Sequence, residues 1–336
     1  MNSPQAKHAS RLRALEHLRA PWILRGSFAL LLFVAWELLL GKATFRRDII
    51  DLMALVMGCL AIATLLLDLI ERFAVHEMFG ALLVMGIGGL LAFTLIDMQP
   101  PDDIFLALSS RGLGAYTLCG LAMFASFHWL ARGGSWRWLL LLPIGLIAGI
   151  WVRWMPYEPT PANDGWQGLI IGGLLWIAAA QIARTSAGTG GLRLRLLPGE
   201  AVAALGLMIF AMSARSDARL PDTLTAMVAA ALIALCLVML WFQRRHKERS
   251  YASQLADWHP ERLRWGIASP LRLVAWLLVI GAGAGVGWLL PRGEGASDPV
   301  ALIGTLFTAF GLVWLPTVAV VYGWRAIRRD LRAMRL

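Results

Sequence analysis

The chain has 336 residues, of which 58% are apolar and 15% charged, with a mean hydropathy of +0.65 and a formal net charge of +10. An ordinary soluble domain is nearer half apolar and a quarter charged, so the composition argues against a water-soluble fold. The cations lie in short stretches between apolar runs and form no dense tract or long tail, which speaks against a nucleic-acid partner and reads as membrane topology.

Apolar runs of about 17 to 22 residues recur along the whole length, each long enough to cross a hydrocarbon core of roughly 30 Å at 1.5 Å per residue. Backbone polar groups in lipid must be satisfied within their own segment, so these runs are predicted to be helices and the fold class to be all-α, a polytopic integral membrane protein. Residues 1–22 are read as an amphipathic cytoplasmic segment, with Leu12, Leu15 and Leu18 set among Arg11, Arg13 and Arg19 ahead of Trp22. A secretory signal could share this charge pattern. Its charged region would be unusually long, however, and no clean small-residue cleavage site follows, so the first run is expected to stay in the membrane.

About ten spans follow, at 24–41, 49–70, 78–96, 112–131, 138–154, 167–183, 197–213, 222–242, 271–290 and 299–323. Eight fall within 23–242 and two within 271–324. With both termini in the cytoplasm, the positive-inside rule places twenty-three of the 31 Lys and Arg residues inside and eight outside. An odd number of helices would put one of the two terminal basic clusters outside. The outer turns "DMQPPDD", "YEPTPANDG", "ARSDARLPD" and "PRGEGASDP" set Pro or Gly beside acids just ahead of the next helix, where acids suit its free N–H groups and dipole. The spans therefore pair as five hairpins, alike in composition.

Between the eighth and ninth spans, residues 243–270 form the longest polar connection. Tyr251, Leu255 and Trp258 fall there at i, i+4 and i+7, one apolar face of a helix that could lie on headgroups or receive a protein partner at the cytoplasmic surface. Residues 325–336 read as a basic cytoplasmic tail.

Ionisable residues near mid-bilayer are costly and mark ion pathways, and this chain has almost none. Glu37 falls one turn from the outer end of the first span, Asp51 in the first turn of the second, Asp68 in its last turn four residues before Arg72, and Glu200 in the first turn of the seventh. The distinctive cluster is outside, where Arg46 and Arg47 stand with Glu37 and Asp51. Guanidinium groups there suit bidentate binding of a phosphate or carboxylate, and Arg47 and Asp51 are also spaced to pair with each other. "GAGAGVG" at 281–287 lies in an apolar span without a preceding strand, so Gly281 and Gly285, like Gly145 and Gly149, read as points of close helix approach. Pro143 and Pro316 sit inside spans as kinks. Cys59, Cys119 and Cys236 stand alone in separate runs. No hydrolase, zinc or haem motif is present, and no cofactor is expected.

Three functions fit these features. The first is a transporter or flippase in the cytoplasmic membrane for a lipid, lipid-linked or other amphiphilic substrate, without an evident buried ion-coupling site. The second is a non-catalytic subunit or assembly factor that anchors a larger membrane complex. The third is a membrane-embedded transferase working at the outer face.

Overall fold

A computed structural model describes residues 21–40, 48–96, 103–132, 161–186, 194–214, 223–243, scattered positions between 274 and 289, and 299–333. Every regular element among them is helical. Six helices are long and apolar enough to cross a membrane, as a multi-pass membrane protein requires, and two shorter apolar helices accompany them.

Helix α1 is Pro21–Leu38, α2 Ile49–Arg72 and α3 Met78–Leu95. Helix α4 runs through Ile104–Ala107, a π-helical stretch Leu108–Tyr116, and Thr117–Arg132. Then come α5 (Pro161–Ser186), α6 (Pro198–Ser213), α7 (Thr223–Gln243) and α8 (Pro299–Ala333). These match eight of the predicted spans in place. The span at 138–154 lies outside the described residues, and the described positions between 274 and 289 are helical.

The start of α5 at Pro161 lies six residues before the predicted span, and two further boundaries differ for reasons the contacts show. Helix α4 begins eight residues before the predicted span because the Asp103 carboxylate accepts the free N–H groups of Phe105 and Leu106 at 2.9 and 3.1 Å. Helix α8 continues past residue 323 because Arg325 finds a partner in Glu77 and Arg328 lies 4.9 Å from the Trp324 ring centroid. The short α2–α3 connection closes through a Schellman turn. Val75 N–H donates to Ile70 O at 3.0 Å, and Ala74 takes the left-handed conformation (φ 49°) that glycine more often supplies.

Helix α3 is the hub. It is apolar on every side and packs against α2, α4 and α7, and against α8 through Trp314. Each of its four glycines receives a different neighbour: Gly80 the Gln243 amide of α7, Gly86 the Trp314 ring of α8, Gly88 the Leu66 side chain of α2, and Gly89 the Gly112 carbonyl and Thr117 hydroxyl of α4. Bare backbone lets these elements approach to distances a Cβ would forbid, which is how helices associate where lipid supplies no hydrophobic drive. On the other side of α4, a Cβ on Gly311 would overlap Ser109 O and one on Gly114 would overlap Phe307 O, so the α4 and α8 backbones touch. Among the described residues a Cβ at Gly281 or Gly285 meets nothing within 4 Å, and Gly145 and Gly149 lie outside the described residues.

The π stretch of α4 follows from its sequence, "LSSRGLGAY". Two glycines weaken the α form, and Ser109 bonds back to Phe105 O and Leu106 O at 2.8 and 3.0 Å. A π turn disturbs the i to i+4 ladder, and side chains from three directions donate to its carbonyls. Thr117 Oγ1 donates to Gly112 O (2.8 Å), Trp314 Nε1 to Leu113 O (2.8 Å) and Trp36 Nε1 to Tyr116 O (2.9 Å). Helix α1 has its own π turn at Val34–Leu38, closed by Leu39 N–H to Val34 O at 2.9 Å, and this turn carries Trp36 to α4.

Replacing Gly311 by Ala should lower stability by about 1–3 kcal/mol, since backbone must move to admit the methyl. Gly206→Ala on α6, where nothing lies within 4 Å, should be neutral or stabilising by about 0.5–1 kcal/mol. Unfolding midpoints of the two variants in the same detergent check both, and equal midpoints would remove the glycine contacts from the account.

Candidate functional site

Polar side chains gather at one end of the bundle, where the N-terminal ends of α1, α3 and α6 meet the C-terminal ends of α2, α7 and α8. Arg25, one turn into α1, is fully buried, yet its guanidinium is well used. It donates to Glu200 Oε1 and Oε2 at 3.1 and 3.2 Å and to Leu194 O at 3.2 Å, and it lies 4.8 Å from the Trp22 ring centroid. Glu200 reaches Arg25 because Pro198 starts α6 and leaves the acid in its first turn, where it also accepts Leu197 N–H at 3.0 Å.

Asp68 performs a parallel task from the last turn of α2. It accepts Arg72 Nε and Nη2 at 3.0 and 3.2 Å, the predicted i, i+4 pair, and also Leu196 N–H at 2.8 Å. Arg25 and Asp68 thus both bond to the backbone of the segment 194–197 ahead of α6, at Leu194 O and Leu196 N–H, and α6 packs onto α2. A third link joins the N-terminus of α3 to α8, where Glu77 pairs with Arg325 and His76 Nε2 lies 3.8 Å from Glu77 Oε1. Gln243, the last residue of α7, lays its amide on Gly80 one turn along α3.

Of the residues singled out in the sequence, Glu37 lies fully buried in the π turn of α1, and Asp51 is nearly so in the first turn of α2, both toward the opposite end. A carboxylate withdrawn this far needs a conformational change before it meets a substrate from solution. Arg46, Arg47, Tyr251, Leu255 and Trp258 lie outside the described residues. Among the described residues, no three His, Cys, Asp or Glu side chains gather as metal ligands would. Cys59 and Cys236 are buried and Cys119 half-buried, all as free thiols.

Hydropathy alone gives Arg25, Glu77 and Arg325 no partners: they fall at the start of a span, in a short connection and in the basic tail, and the eighth span ends at 242, before Gln243. Arg25 carried a signal all the same: it follows Trp22-Ile23-Leu24 in helical phase with an apolar run on both sides. Its partner, 175 residues away, could not be read locally.

The Arg25–Glu200 pair is unequal in burial, with side chains 1% and 23% exposed, and this fixes the sign of a test. Glu200→Ala strands a buried cation and should cost on the order of 3 kcal/mol. Arg25→Met leaves a carboxylate that water still reaches, and should cost less. The double variant should be more stable than Glu200→Ala alone, and unfolding in mixed micelles gives all three values. No family model, no curated protein and no solved structure matches the chain, so its function is argued from its own geometry.

Proposed function

We propose that the chain is a carrier or flippase for a lipid or other amphiphile in the cytoplasmic membrane, built from about ten spanning helices arranged as five hairpins with both termini inside. The observation that supports this reading is uneven packing. Over the apolar stretch that could span the membrane, 72% of residues are buried in α1 and in α3, against only 28% in α7 and 22% in α8. Helix α6 rests on α2, α7 on α3 and α8 on the π stretch of α4, while α7 and α8 meet each other only slightly. Among the described residues they stand as separate ribs on the wall, with a furrow between α7 and α8.

An amphiphile crossing a bilayer keeps its tails in lipid while its polar part follows the protein. A laterally open furrow allows that, whereas a closed aqueous pore would have to desolvate the tails. The ionic links gather at one end of the wall, and the cation asymmetry of the sequence makes that end cytoplasmic. The same uncovered flank also supports a second reading, a non-catalytic subunit whose ribs are covered by partner helices.

Reconstitution into vesicles carrying tail-labelled fluorescent phospholipid separates the two readings. A carrier exposes inner-leaflet label to an impermeant reductant in proportion to the protein added. Quenching that stays at the outer-leaflet share for anionic and zwitterionic lipids, together with a partner chain co-purifying at fixed ratio, would sink the carrier and leave the subunit. For topology, single cysteines placed in 243–270 and in 325–336 of a cysteine-free variant should both react only from the cytoplasmic side. Labelling from opposite sides refutes the arrangement.

A further inference from the structure

We propose that the furrow between α7 and α8 ends at the N-terminus of α3 in a binding site for the phosphate of a phospholipid headgroup. Gln243 is the first reason. It is 6% exposed, and neither its Oε1 nor its Nε2 has a hydrogen-bond partner. A buried amide left unmatched costs about 1–3 kcal/mol, and here it is held against Gly80, a position whose missing side chain makes room for it. The hydroxyl of Tyr322 on α8 is likewise buried without a partner.

The second reason is what surrounds them. Helix α3 has 18 residues, and Glu77 ahead of it makes no side-chain cap, the first backbone bond being Ala81 N–H to Glu77 O at 3.0 Å. The N–H groups of Phe79 and Gly80 therefore belong to the uncapped first turn, which favours an anion. Glu77 spends its charge on Arg325, whose guanidinium lies 5.9 Å from the Tyr322 ring centroid and is 41% exposed, with N–H groups to spare. The Gln243 amide lies on Gly80, and Arg325, beside the Tyr322 ring, pairs with Glu77 three residues earlier, so donors of α7 and α8 border the first turn of α3. A phosphate offers acceptors to all of them.

The ligand is a lipid because the exposed faces of α7 and α8 next to the site are apolar. Val238 and Phe242 of α7 and Val320 and Trp324 of α8 are 51%, 49%, 71% and 55% exposed along the same stretch. A phosphate that arrives with acyl chains gains that contact, and a free ion does not. As the docking point of a transported headgroup the site rests on the carrier reading. The test reads binding alone, so its failure and the failure of the vesicle assay are separate results.

The test is a thermal-unfolding titration of the full chain in maltoside micelles, which contain no phosphate. Phosphatidylglycerol should raise the midpoint saturably, a phosphate-free glycosyl diacylglycerol should not, and inorganic phosphate alone should do little. Gln243→Leu and Tyr322→Phe should each fold and each weaken the apparent affinity roughly tenfold, the loss of one charge-assisted hydrogen bond. The proposal is overturned if the midpoint ignores phosphatidylglycerol, if the phosphate-free lipid works as well, if both variants keep full affinity, or if inorganic phosphate reproduces the whole shift.

Discussion

The contact on which the rest of the structure depends is the meeting of α3 and α4 at Gly89 and Gly112, where a Cβ would overlap a backbone carbonyl. Helix α4 comes this close to α3 on one side and to α8 on the other, and its π stretch lies between them. Such a stretch cannot persist on its own hydrogen bonds. It is held by the Thr117 hydroxyl and by the indoles of Trp36 and Trp314, brought from both ends of the chain. Polar bonds that water would weaken keep more of their strength in a dry interior. Side-chain donors of this kind, joined to close backbone packing, can stand in for the hydrophobic drive a soluble core would use.

The charged end of the bundle follows a different logic. Arg25, Asp68 and Glu77 do not face one another across a cavity. Each reaches a partner far away in sequence and fastens one more helix to the wall. Burying Arg25 completely is tolerable because a bidentate carboxylate, a carbonyl and an indole face surround it. Ionic links join the helices at one end, while α7 and α8 make little contact with each other along their length.

Many buried polar groups, such as Thr64, Ser109, Thr117 and Ser126, bond to carbonyls of their own helix. The Gln243 amide and the Tyr322 hydroxyl do not, and neither do Trp176 Nε1 and Thr225 Oγ1. What distinguishes the first two is their place, beside an uncapped helix start and a partly exposed arginine.

By itself the sequence determined the solvent, the element type and the approximate position of every described helix. A bilayer accepts only long apolar segments with internally satisfied backbones, and that rule is local. It also determined one short-range pair, Arg72 with Asp68, because an i, i+4 pair is decided within a single turn. Only the tertiary structure decided that Gly86, Gly89 and Gly311 are points of close approach, that Arg25 pairs with Glu200, that Gln243 lies on Gly80 and that Arg325 pairs with Glu77. Each of these joins residues from helices distant in the chain. Hydropathy says that a face is apolar and never which other apolar face will cover it, so that choice is made by the fit of backbone to backbone.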